Sequence, residues 1–219
     1  MISNRRIYLL MVALAAALPG CGTSASPYFY RLDTTATANG GPPMQTAVMV
    51  GPVSVPASVD RPEFVVQVAP NRVDVDEFNR WDAPLGDSIA RAVAGDLSVL
   101  LASPNVVIAP MADFTPAYVV TINVQRFESV KGEAALVDAV WAVHSSANGK
   151  TRSGRTIARE AVQGESFEAL AAAHSRAIAK LSSDIAAAIR MEASGNMQSM
   201  NANNWVPVQR TYGSPHRED

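Results

Sequence analysis

The sequence predicts an α+β fold, a mostly antiparallel sheet with two amphipathic helices packed on one face as a two-layer α/β sandwich. Two observations carry this. Apolar and polar residues alternate along several stretches between residues 46 and 162, the period of half-buried strands. Twice, over 85–101 and 167–189, the apolar spacing lengthens to three or four, which marks a helix with one apolar stripe.

In order, Tyr28-Phe29-Tyr30-Arg31-Leu32 has the aromatic content of a first strand, and Asp33 to Gln45, rich in Thr, Ala, Asn, Gly and Pro, is a loop. Thr46 to Val55 alternates through Val48, Val50, Val53 and Val55. Pro52 inside it demands a bulge or an edge, because proline donates nothing to a ladder. Phe64 to Val68, the turn Pro70-Asn71, and Val73, Val75 and Phe78 read as a hairpin. Leu85, Ile89, Val93, Leu97 and Leu100 or Leu101 form the stripe of the first helix, with Asp82 as the expected N-cap and Pro84 in the first turn. Ser103-Pro104-Asn105 ends it, and Val106 to Ala109 is a short strand. Ala117 to Phe127, Glu133 to Ser145 and Thr151 to Val162 then alternate in succession and form a meander. Trp141 shares a face with Val137, Ala139 and Val143 and belongs in the core. Ser166 caps the second helix, Glu168 suits its first turn, and Phe167, Leu170, His174, Ile178, Leu181, Ile185 and Ile189 are its stripe. The alanines between them suit close packing. After Arg190 the composition turns to Met, Ser, Asn, Gly and Gln, so 191–219 is expected to be a disordered tail.

Ahead of this domain, residues 1–20 read as a signal peptide. Arg5 and Arg6 precede an uncharged apolar run from Ile7 to Leu18. The run is shorter than the roughly 20 residues of a permanent span and ends in Pro19-Gly20. Leu18-Pro19-Gly20-Cys21 resembles a lipobox, in which the cysteine is acylated and the leader is cut away; Pro19 stands where a small residue is usual. Cys21 is the one cysteine of the chain, and acylation explains its lack of a partner. Diacylglycerol and N-acyl groups on Cys21 would hold the protein at a membrane through about 0.8 kcal/mol per buried methylene. Residues 21–27 are then the lipidated cysteine and a short tether. Gly22 is not the aspartate that often retains a lipoprotein at the inner membrane, so the periplasmic face of the outer membrane is expected.

Composition excludes more than it names. With 18 basic and 20 acidic residues and a net charge of −2, there is no basic stripe for nucleic acid. The three histidines, His144, His174 and His216, are scattered and form no metal-ligand pattern; His174 lies on an apolar stripe, as a core or interface histidine does. Gly149-Lys150-Thr151 imitates the end of a phosphate-binding loop, but His144 stands where that loop needs glycine and no helix is expected to follow. With no nucleophile elbow and no dinucleotide fingerprint, an enzyme is not expected.

The order Tyr28-Phe29-Tyr30-Arg31-Leu32, Val50-Gly51-Pro52-Val53, Val55-Pro56, Asp60-Arg61-Pro62, Asn79-Arg80-Trp81, Pro84-Leu85, Phe127-Glu128 and Trp141, behind a lipobox and closed by an alanine-rich helix, resembles the ABC-type transport auxiliary lipoproteins of the YmbA/PqiC type. The resemblance spans residues 21 to 190 and makes 28–190 the auxiliary lipoprotein domain. It implies a non-catalytic docking or scaffolding subunit at the outer membrane, partnered by an MCE-domain protein with its permease and ATPase, in a system that moves lipids across the envelope. A homo-oligomer is compatible with it, because MCE proteins form rings. Asp60, Arg61, Arg80 and Trp81 fall in its most family-like words and are the candidate partner interface. Trp81 is equally compatible with a core plug above the first helix while Arg61 pairs with a carboxylate. Two other readings remain, a carrier holding lipid in a pocket between sheet and helices, and a structural outer-membrane lipoprotein without ABC partners.

Overall fold

The computed structural model describes residues 26–203, with side chains to residue 195; the leader, Cys21, His216 and the tail from 204 lie outside the described residues. Eight strands and two helices follow in the order β1 (Tyr28–Tyr30), β2 (Val48–Ser54), β3 (Glu63–Ala69), β4 (Arg72–Trp81), α1 (Leu85–Leu101), β5 (Val106–Ile108), β6 (Tyr118–Val130), β7 (Ala134–Ser145), β8 (Thr151–Ala161) and α2 (Phe167–Asn203).

The strands form one curled sheet, and it is mixed rather than mostly antiparallel. Antiparallel pairing is confined to neighbours in sequence, β3 with β4, β6 with β7 and β7 with β8. The pairs β1–β4, β2–β5, β2–β6 and β3–β6 are parallel. The physical reason lies in the connections, since a chain that returns through α1 before β5 comes back in the same direction, whereas a tight turn reverses it. Alternating polarity reports burial on one face and is silent about direction. β6 is the spine: β7 covers one edge, while β2 and then β3 share the other.

Local chemistry accounts for most element ends. The β3–β4 hairpin turns at Asn71 with φ of 62°, a left-handed conformation that asparagine tolerates. Pro52 sits at a register shift between Val50 and Val53, so it marks a bulge within the sheet and not an edge. Ser166 caps α2, its Oγ accepting the Ala169 N–H at 3.2 Å. Asp82 does not cap α1. That helix starts after Pro84 without a side-chain cap, and the Asp82 carboxylate pairs with Arg31 at 3.2 Å. α2 also runs past Arg190, where composition had ended it, to Asn203; Glu192 is buried beside β8 and its carboxylate accepts from Arg152 Nε at 2.8 Å.

Both helices lie on the concave face and fill it. Leu85, Ile89, Val93, Leu97 and Leu101 of α1 and Leu170, Ile178, Leu181, Ile185 and Ile189 of α2 are fully buried. Trp141 packs on this face over Gly154, where a Cβ would come within 2.3 Å of the indole, and its Nε1 donates to Thr156 Oγ1 at 3.0 Å. Trp141 is thus buried in the core, as the strand pattern predicts.

The segment after β1 is a strap across both helices. The buried Asp96 carboxylate of α1 accepts from the Thr35 and Ala36 N–H groups, each at 3.0 Å, and from Ser182 Oγ of α2, also at 3.0 Å. Burial pushes the Asp96 pKa above the usual carboxylate range, and these donors pull against it. The strap presses so closely that a Cβ on Gly95 would meet Thr34 Oγ1 at 2.0 Å. Removing the carboxylate strands buried donors, so Asp96→Ala should cost about 2 kcal/mol and lower the melting temperature by about 5 °C, with Asp96→Asn costing less because its amide oxygen still accepts. Thermal melts of the three proteins check this.

Candidate partner-docking surface

The loop from Pro56 to Pro62 is wound tightly on itself and hooked to the end of β4. Val59 and Asp60 donate their N–H groups to Pro56 O at 3.0 and 3.1 Å, Arg61 donates to Val59 O at 2.9 Å, and Trp81 donates to Pro62 O at 2.7 Å. This winding brings Arg61, with Asp60 before it in the loop, to the end of β4, where Arg80 precedes Trp81. Glu63 then sits between the two guanidinium groups, with Arg61 Nε and Arg80 Nη2 each 3.5 Å from its carboxylate oxygens. Arg80 Nε also donates to Glu77 O at 2.8 Å. Asp60 is exposed.

Of the four residues chosen from sequence, the structure gathers Asp60, Arg61 and Arg80 on one surface and turns Trp81 away from it. Trp81 is 4% exposed and stacks on Phe64 with ring centroids 4.1 Å apart, leaving it no surface for a partner; it is the core plug. Glu63 was missed, although its place two residues after Arg61 puts it within reach. Two guanidinium groups held loosely over one carboxylate can exchange that carboxylate for an acidic group on another protein, and long contacts at a wet surface cost little to open.

Elsewhere the candidate chemistry is structural. His174 is fully buried, with Nε2 2.8 Å from Ser129 Oγ and its ring stacked on Phe127 at 3.9 Å. His144 is exposed, its Nδ1 3.1 Å from Thr151 Oγ1. Gly149-Lys150-Thr151 is the turn into β8. Among the described residues no group of three or more His, Cys, Asp or Glu side chains could hold a metal ion, and no helix is long and apolar enough to cross a membrane.

On the outer face of the sheet, Asp138 takes a bidentate pair from Arg155, at 2.8 and 2.7 Å. That guanidinium holds the Asp138 carboxyl below its ordinary range.

The sequence profile of the ABC-type transport auxiliary lipoprotein component family matches residues 30–186. The chain belongs to this family. The matched span opens at Tyr30 and closes inside α2, so α1, the loop from Pro56 to Pro62 and the first half of α2 fall within it. No curated protein matches the chain. Among solved structures, protein XCC0632 from Xanthomonas campestris, of the DUF330 family, is 19% identical, with a TM-score of 0.64 over 78% of this chain and 99% of that one. An uncharacterized protein is likewise 19% identical, with a TM-score of 0.62 over 75% of this chain and 99% of its own. At this identity the likeness is one of fold.

Proposed function

We propose that this auxiliary lipoprotein is a non-catalytic docking or scaffolding subunit of an ABC/MCE-type envelope lipid transport system, held at the periplasmic face of the outer membrane by acyl groups on Cys21. The observation that carries the reading is the family match across residues 30–186, placed behind a sequence with the features of a lipobox. The filled space between sheet and helices supports it against the carrier reading, because Phe64, Leu97, Leu170 and Ile178 are fully buried where an acyl chain would have to lie. A packed interior leaves the surface as the place to act, and the Arg61–Glu63–Arg80 cluster is a charged element there that could meet an acidic partner.

Affinity capture of the detergent-extracted, full-length protein tests this. The wild type should bring down an MCE-domain protein with its permease and ATPase. Arg61→Glu with Arg80→Glu should reduce that recovery at least tenfold, or by about 1.4 kcal/mol, while stability changes by about 1 kcal/mol or less because the pairs are exposed. Recovery of no transport component by the wild type would refute the subunit role. Normal recovery by the double variant would move the interface off this loop. Cys21→Ser should release the protein from the membrane fraction, and the same preparation would show by its mass in solution whether copies of the chain self-associate.

A further inference from the structure

Among the described residues, the exposed aromatic side chains are Tyr28, Phe29 and Phe78, with 66%, 62% and 49% of their surfaces accessible. They are not overflow from the core, whose rings Phe64, Trp81, Phe127 and Phe167 are buried. They flank one edge of the sheet, with Tyr28 and Phe29 on its opposite faces because successive strand side chains alternate. Tyr28 and Phe29 open β1, which runs parallel to β4 with Tyr28 opposite Asn79 and Phe29 opposite Arg80. Phe78 directly precedes Asn79, so it borders the point where the chain enters β1. Exposed rings along an open sheet edge mark a place that something covers.

Chain length says what covers it. Six residues lie between Cys21 and Tyr28, so the seven steps from one to the other reach at most about 25 Å even when fully extended. Resting on the acylation of Cys21 proposed above, this end of the domain is confined to the neighbourhood of the bilayer surface whatever path the tether takes. We infer that this edge, with Tyr28 and Phe29 on its two faces and Phe78 beside them, is a membrane seat that enters the headgroup layer edge-on beside the acylated cysteine and fixes the orientation of the domain on its membrane. Aromatic rings favour that layer, where their apolar bodies leave water and tyrosine keeps its hydroxyl wet. Charge is not the attachment. At this end Arg80 is paired with Glu63, Arg31 with Asp82, and Lys131 acts on Asp76, so anionic lipid gains no net attraction and the seating is insensitive to salt.

The test uses the full-length, acylated protein carrying fluorophenylalanine at its 6 phenylalanines, in vesicles of phosphatidylethanolamine and phosphatidylglycerol. Nitroxide placed on the lipid near the headgroup should broaden the fluorine signals of Phe29 and Phe78 several-fold more than that of Phe114, which lies before the opposite end of β6, and added salt should not change this. If Phe29 and Phe78 respond only to a water-soluble gadolinium chelate, the patch faces water and the inference is overturned. Shielding from both reagents overturns it too, because the cover is then protein. A bare Cys21 by mass spectrometry, with no protein on the vesicles, removes the anchor itself; an acylated protein whose rings stay unbroadened by lipid removes only the seat.

Discussion

Replacing Trp81 with alanine should destabilise the domain by about 3–5 kcal/mol, the range for removing a buried indole, and lower its melting temperature by about 10 °C or more. Trp81 lies where β1, β3, β4, β6 and α2 converge. Its ring stacks on Phe64 at 4.1 Å and meets Phe127 edge-on at 5.9 Å and His174 at 6.1 Å. Phe64 in turn carries Tyr30 at 5.5 Å and Phe167 at 5.2 Å, both edge-on. Alanine would leave a void walled by these rings, which cannot close because they are fixed on four different elements, β1, β3, β6 and α2. Thermal melting or denaturant titration measures the loss. Trp81→Phe should recover a good part of it, since a smaller ring still stacks on Phe64. A loss of partner capture in Trp81→Ala without a fall in stability would contradict the burial described above and return the residue to the interface. The contrast with Arg61→Glu and Arg80→Glu is deliberate: those variants act on a wet ion cluster and should bind poorly while melting nearly as the wild type does.

That contrast also shows what the residues disclose on their own. The stripes of α1 and α2 and the alternation of β6, β7 and β8 were legible because each buries one face, and burial is written in the period of the side chains. Direction of pairing is not written there. Val48 and Val50 alternate as they would in any half-buried strand, yet β2 runs parallel to both of its neighbours. Asp82 has the chemistry of a cap, but Arg31 lies close enough to claim its carboxylate. The extension of α2 beyond Arg190 depends on Glu192 finding Arg152, 40 residues earlier on β8, and no local composition can announce such a partner. Asp33 to Gln45 was readable as a loop, while its service as a strap needs Asp96 and Ser175 on two different helices, Ser175 Oγ accepting the Asp33 N–H at 3.1 Å. For the candidate docking surface, sequence order picked out Asp60, Arg61 and Arg80 but could not separate them from Trp81, because adjacent residues on a strand point to opposite faces and the face of Trp81 is decided by the rings across the sheet.

Acid should weaken this domain before Asp76 and Asp138 protonate, and His174 is the reason. Full burial lowers the His174 pKa from 6.5 to about 3, since a charged imidazole in that site would lie against Phe127 and Trp81 with little to solvate it. The neutral ring is hydrogen-bonded to Ser129 through Nε2. With the folded value below the unfolded one, the unfolded chain takes up the proton first. His174 therefore contributes its stability in full above about pH 6.5 and loses it as the pH falls from 6.5 toward 3, at up to about 1.4 kcal/mol per pH unit, or about 2 kcal/mol by pH 5. Asp76 and Asp138, whose folded values lie below 3.8, withdraw their contributions only in stronger acid. Asp96, raised by burial, works in the opposite sense and gains stability as the pH drops through its folded value toward 3.8. Denaturant melts of the wild type and His174→Gln between pH 4.5 and 7.5 separate these effects, because everything except the imidazole is common to both. The variant should start less stable at pH 7.5, having lost the stack on Phe127, and the gap between the two proteins should narrow steadily below pH 6.5. A gap that stays constant across this range would mean that His174 keeps its ordinary affinity for a proton in the folded state, and that the aromatic box around it is open to water.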